Sequence, residues 1–165
     1  IEAEKLPRTV QDPDSNIEKV LDPGFVGEPA RVNPHVLEVL EKSDSIPVIA
    51  PIGVGENGET FNINADTAAG AIAAAIDASK LIMMTDIAGV MDGDGNLLET
   101  LTAQAARAMI HDGTVHGGMI PKIETCLNAI ENGTHSATIL DGRIPHVLLL
   151  EIFTEHGVGT MIGGV

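Results

Sequence analysis

A chain of 165 residues with 44% hydrophobic content can bury a sizeable core, but with three Phe and neither Trp nor Tyr it has no aromatic platform for single-stranded nucleic acid. A formal net charge of -15 repels phosphate backbones and argues against nucleic acid as a partner. Cys126 is alone, which excludes an internal disulfide and a CxxC metal site and reads as a small buried apolar side chain.

Residues 1–34 are charged and proline-punctuated, ending in LDPGFVGEPARVNP, and predict short strands and turns. PHVLEVLEK predicts a helix over 34–42 with Pro34 near its first turn. SIPVIAPIGV, 45–54, is a continuous apolar run suited to a buried strand. Asn57-Gly58 is a hairpin turn signal, so TFNIN, 60–64, is expected to return as a strand. A helix of small residues follows over 65–78, then a second buried strand, KLIMMTD, 80–86, and a loop, IAGVMDGDGN, 87–96. Helices are expected over 102–113, capped by Thr102 with Gly113 just past the end, and over 121–133, with Pro121 in the first turn. HSATILDG, 135–142, reads as a strand, IPHVLLLEIFTEHG, 144–157, as a helix, and VGTMI, 158–162, as a short last strand. Strands alternating with helices indicate an α/β domain with a largely parallel sheet. No apolar run reaches about 18 residues, so no membrane span is expected. No signal peptide is visible, and a start at Ile1 suggests processing or a piece of something longer.

Several motifs carry little. Gly53-Val-Gly55-Glu-Asn-Gly58 matches GxGxxG, but a hairpin follows it where a dinucleotide site needs a helix start. Asp92–Asn96, DGDGN, begins like a calcium loop, yet Leu97 and Ala103 occupy the positions that need Gly and Glu, so a polar turn is expected. The histidines, His35, His111, His116, His135, His146 and His156, show no paired metal spacing, and no protein-built metal site is expected. No P-loop is present.

Two stretches carry more. In TVHGGMIPKIE, Gly117 and Gly118 let backbone approach a ligand, and Lys122 falls in the first helical turn. A lysine there opposes the helix dipole, and a bound anion would reverse that penalty; a solvated surface lysine is the equal alternative. In FNINADTAAG, Asn64 suits an N-cap and Asp66 the first turn of a helix. Asn62 sits at a strand's carboxyl end, where open α/β sheets build ligand sites. Ala65, Ala68, Ala69, Gly70 and Ala73 allow close helix packing behind it.

FNINADTAAG, MMTDIAGVMD, GGMIPKIETCLNAI, TILDGR and LLLEIFTEHGVGTMI occur in one order. Together they closely resemble the C-terminal part of the acetylglutamate kinases, in the amino-acid kinase superfamily, from about Leu21 onward. The resemblance implies an α/β three-layer sandwich with a mainly parallel central sheet. It also implies phosphorylation of the side-chain carboxylate of N-acetyl-L-glutamate by ATP in cytoplasmic arginine biosynthesis. Magnesium would be held mainly by the nucleotide phosphates. Asn62 and Asn64 would bind substrate, Asp66 would organise catalytic lysines, and Lys122 would stabilise the transferring phosphoryl group. Thr85, Asp86, Ile87, Ala88, Gly89, Val90 and Met91 would bind nucleotide, with Thr114, Val115, His116, Gly118 and Met119 beside it. Glu151 and Gly157 would belong to an arginine effector site. A homo-oligomer, and a PII-type signalling partner, are further implications.

The chain departs from the family in lacking a Lys-x-Gly-Gly segment, a second catalytic lysine and a substrate-gripping arginine. It therefore reads as the mainly nucleotide-binding C-terminal part, with 1–34 as a hairpin or linker at the junction with an N-terminal lobe. Thr138 stands where arginine-inhibited members usually have histidine. Aspartate, glutamate or carbamate kinases, and a non-catalytic arginine or nitrogen sensor, are the alternatives.

Overall fold

The computed structural model describes residues 1–6, 8–11, 18–43, 45–154 and 157–163, with the strands at 8–11 and 18–21 described by backbone alone. Residues 12–17 of the expected strand-and-turn region, and Glu155 and His156 of the last expected helix, lie outside the described residues. The chain divides into two compact units, Ile1–Ile72 and Ala73–Val165.

The first unit holds β1 (Glu2–Lys5), β2 (Arg8–Gln11), β3 (Glu18–Leu21), β4 (Val26–Arg31), α1 (His35–Glu41), β5 (Ile52–Val54), β6 (Thr60–Ile63) and the start of α2 (Ala65–Ala75). Strands β1-β4-β6-β5 close into a small barrel, and β2 pairs with β3 as an antiparallel hairpin. Ala3, Phe61, Ile63 and Ala68 form its core. The Asn57-Gly58 turn joins antiparallel β5 and β6 as expected, with Gly58 at φ +85°. Glu59 closes that turn by accepting from the Asn57 backbone N–H at 3.0 Å, so the GxGxxG backbone serves a hairpin and not a pyrophosphate.

The run 45–54 corrects the sequence reading. Only its last three residues form a strand, and Ile46 and Val48 are 92% and 97% exposed. Pro47 and Pro51 carry no N–H, so this run cannot donate continuously to a neighbouring ladder.

Helix α2 begins where Asn64 Oδ1 accepts from the backbone N–H groups of Asp66, at 2.9 Å, and Thr67, at 3.2 Å. It ends three residues earlier than expected. Asp77 takes a left-handed conformation, φ 48°, while Ala78 N–H reaches Ala73 C=O and Asp77 N–H reaches Ala74 C=O. That pair of bonds is a Schellman stop, formed here without glycine.

The second unit holds β7 (Leu81–Thr85), β8 (Thr100–Thr102), α3 (Ala103–His111), α4 (Met119–Glu131), β9 (Ser136–Asp141), α5 (Val147–Phe153) and β10 (Thr160–Gly163). Its sheet runs β7-β9-β10-β8, with β7–β9 and β10–β8 parallel and β9–β10 antiparallel. The core gathers Leu81, Met83, Val90, Ile123, Cys126, Leu127, Ile139 and Ile162, among others. Cys126 is fully buried, its Sγ 3.2 Å from Met83 Sδ.

Thr102 caps α3 as expected, accepting from Ala105 N–H at 3.1 Å. Helix α4 starts at Met119, two residues earlier than expected, because proline is tolerated anywhere among the first orphan N–H positions. Helix α5 is shorter than the expected 144–157, since His146 sits at φ 59° before it and Thr154 is extended after it. Among the described residues no helix is long and apolar enough to cross a membrane.

Candidate functional site

In the second unit the carboxyl ends of parallel β7 and β9 lie side by side, with Thr85 paired to Asp141. Gly142 N–H donates to Thr85 C=O at 2.7 Å and locks the two ends together. The chain leaves β7 into Asp86–Met91, the segment expected to bind nucleotide. Asp86, Ile87 and Met91 are exposed and Ala88 is half-buried, while Gly89 and Val90 are buried. Val90 N–H donates to the Thr160 hydroxyl at 2.8 Å, and Val90 C=O accepts from Leu98 N–H at 2.9 Å. Beyond it Asp92 closes the polar turn, its carboxylate accepting from the N–H groups of Asp94 and Asn96.

The second expected nucleotide stretch lies between α3 and α4. Asp112 accepts from Thr114 N–H at 2.9 Å, and Val115 N–H donates to Met109 C=O at 2.9 Å. Val115 and Val90 enter the same core, so the two stretches are fixed to one body. His116 is exposed, Gly117 takes φ 60°, Gly118 caps α4, and Met119 opens it. Lys122 is half-buried in the first turn of α4, next to fully buried Ile123.

Beside Thr85, the Arg143 guanidinium grips Asp141 through two bonds, Nε to Oδ1 at 2.9 Å and Nη2 to Oδ2 at 2.8 Å. These bonds, joined by the Arg143 backbone N–H, lower the Asp141 carboxyl from 3.8 to about 2. Sequence reasoning missed this pair as a site feature and missed Thr160; neither residue type stands out from its neighbours in the chain.

Elsewhere in the second unit a cavity of about 270 Å³ is lined by Lys80, Thr138, Glu151, Gly157 and Gly159, among others. The Glu151 side chain is 4% exposed, accepts from Lys80 Nζ at 3.1 Å, and accepts from Val158 N–H at 3.2 Å. A side chain at Gly157 would come within 2.8 Å of Glu151 Oε2. The buried Thr138 hydroxyl has no hydrogen-bond partner among the described residues.

In the first unit Asn62 lies in β6 with its side chain exposed, its N–H donating to Phe25 C=O at 2.8 Å. Asn64 and Asp66 meet through the α2 cap, which uses Asn64 Oδ1. A larger cavity of this unit, about 660 Å³, is lined, among others, by Glu2, Glu4, Glu56 and Glu59 against Lys5, the single cation among the described residues of its wall, and by none of these three residues. Its carboxylates disfavour an anionic ligand.

The profile described as "Amino acid kinase family" matches residues 3–141. The chain belongs to the amino acid kinase family. Curated relatives named acetylglutamate kinase include that of Rhodospirillum centenum, 61% identical over 99% of this chain and 53% of its own length. That of Rhodospirillum rubrum is 59% identical over 98% of this chain and 52% of its own. The chain thus spans about half the length of these relatives. Among solved structures, N-acetylglutamate synthase from Neisseria gonorrhoeae, complexed with coenzyme A and L-arginine, superposes with a TM-score of 0.82. It is 29% identical, covering 96% of this chain and 36% of that one. Carbamate kinase from Giardia lamblia bound to AMP-PNP superposes with a TM-score of 0.67 at 18% identity, covering 96% and 52%, and attests the amino acid kinase fold.

Proposed function

We propose that this chain is the nucleotide-binding part of a kinase that transfers the γ-phosphoryl group of ATP to the side-chain carboxylate of N-acetyl-L-glutamate. The observation that carries the reading is the 61% identity to an acetylglutamate kinase across nearly the whole chain. The paired carboxyl ends of β7 and β9 agree with it, being where α/β folds place nucleotides. In the reaction a carboxylate oxygen bonds to the γ-phosphorus, the bond to the β-phosphate oxygen breaks, and ADP leaves. Little covalent chemistry falls to the protein; it positions the two substrates and neutralises charge.

In this reading Thr85–Met91 and Thr114–Met119 hold the nucleotide. Lys122 stabilises charge on the transferring group, and Asp66 positions ammonium groups. Asn62 binds the acetylated substrate as a neutral donor and acceptor, which leaves the lysines to the phosphates. Asn64 has only its amide NH2 to offer, because its oxygen serves the cap. Magnesium would come with the nucleotide, held mainly by its phosphate oxygens. A coupled assay of ADP release by the full-length protein tests the reading. Turnover is expected with acetylglutamate and not with aspartate, glutamate or carbamate; turnover with one of those instead would reassign the substrate.

A second role is favoured by the Glu151 cavity. The cavity joins the buried Glu151 carboxylate, held by Lys80, to the unsatisfied Thr138 hydroxyl, and L-arginine entering it would place its guanidinium in competition with Lys80 for that carboxylate. Thr138 removes the imidazole that arginine-inhibited members carry, so binding is expected to be weaker than theirs. Calorimetric titration of arginine into the parent and Glu151→Gln proteins decides this. Equal heats from both would remove the cavity from consideration.

A further inference from the structure

Thr160 lies 70 residues from Val90 in sequence, yet its hydroxyl accepts the Val90 N–H at 2.8 Å in a fully buried setting. The surrounding backbone is shaped to it. Gly89 stands at φ +149°, and a Cβ there would come within 2.6 Å of Thr160 Oγ1 and 2.8 Å of Leu97 Cδ1. The segment after β7 therefore lies directly on the threonine. Thr160, the first residue of β10, is itself paired with Ile139 inside β9, so it is part of the sheet ladder. Val90 also accepts from Leu98 N–H, but its own N–H has this hydroxyl as its partner.

We infer that Thr160 is a positioning residue for nucleotide binding: its hydroxyl pins the Asp86–Met91 segment to the sheet in the conformation that receives ATP. The inference rests on the reading of that segment as nucleotide-binding. Without the oxygen, a buried N–H loses its acceptor, and the segment relieves the cost by moving off the sheet to find another. Binding ATP must then restore the lost geometry.

The test uses the full-length protein as parent, Thr160→Val and Thr160→Ser. Valine keeps the shape and removes the acceptor; serine keeps the acceptor. If valine prevents folding, Thr160→Cys, of similar size and a weak acceptor, takes its place. Calorimetry with AMP-PNP and, separately, with N-acetyl-L-glutamate gives the affinities. Hydrogen exchange reads protection over residues 86–91. Nucleotide affinity is expected to fall about tenfold in Thr160→Val, the scale of one orphaned buried donor. It should return to within about twofold in Thr160→Ser, with acetylglutamate affinity unchanged throughout. A lower melting temperature with unchanged nucleotide affinity would reduce Thr160 to a prop of the fold. Equal loss for both ligands would do the same. AMP-PNP protection of 86–91 in the parent separates the two readings: where it is present and Thr160→Val binds normally, only the positioning role fails. Where it is absent, the nucleotide reading fails and takes this inference with it.

Discussion

Lys122 stands half-buried in the first turn of α4, where an ammonium opposes the helix dipole and an anion would be welcomed. Lys122→Ala in the full-length protein is expected to lower turnover roughly 10²–10³-fold, the loss typical of one preorganised electrostatic group. A loss under about threefold in a folded variant would remove it from the mechanism. Asp141 gives a pH prediction. Arg143 lowers its folded pKa from 3.8 to about 2, so the folded state holds the ionised form more tightly than the unfolded chain does. The resulting stability is fully present above 3.8 and is lost as the pH falls through about 2. Melts of parent and Asp141→Asn should therefore converge as the pH is lowered through that window. Parallel melting curves down to the bottom of it would mean that the Arg143 grip does not favour the charged form. The family motifs already pointed to Asn62, Asp66 and Lys122, because a polar residue among small apolar ones, or a lysine at a helix start, is locally unusual. Thr160 and Arg143 were not readable in this way. Their significance comes from partners, and the partner of Thr160 is 70 residues away.

Elements were readable where local chemistry decides them. Thr102 and Gly113 bracket α3, and Asn57-Gly58 turns β5 into β6, because a side-chain acceptor or a permissive φ acts within three or four residues. They were misread where a partner strand decides. The apolar run before Val54 looked like a buried strand, but its prolines interrupt the ladder and most of it stays exposed. Three-residue β8 was passed over because it is too short for alternation to register. The end of α2 was misplaced because Asp77, not glycine, adopts the left-handed stop. Asn64 offers the test at this scale. Asn64→Ala should cost about 1 kcal/mol in denaturant unfolding, the usual loss of an N-cap, and Asn64→Ser only a fraction of it. If acetylglutamate binding falls equally in both variants, the side chain contacts substrate as well as capping; if it follows stability, the cap is the whole of its role.

At the scale of the molecule, two cores of unequal size stand in one chain that spans about half of its relatives. The 165 residues alone are expected to bind MgATP weakly, since both stretches proposed to hold the nucleotide are anchored in the core of the second unit. They should not phosphorylate acetylglutamate measurably, since these 165 residues contain no Lys-x-Gly-Gly segment to align the γ-phosphoryl group. Calorimetry beside an ADP-release assay checks both halves; robust turnover would mean that these 165 residues suffice. One short stretch of the second unit ties its two candidate ligand regions together. Val158 N–H holds the Glu151 carboxylate, and two residues later Thr160 holds Val90. Between them Gly159 lies so close to the Ile139 carbonyl that no side chain fits. On the reading proposed above, a cation at Glu151 and a nucleotide at Val90 would act on opposite ends of this one stretch. Whatever factor the first ligand imposes on the second, the second must return unchanged. Cellular ATP would then set the arginine concentration at which the protein responds, and residues 158–160 would carry energy supply to the Glu151 cavity as well as the reverse.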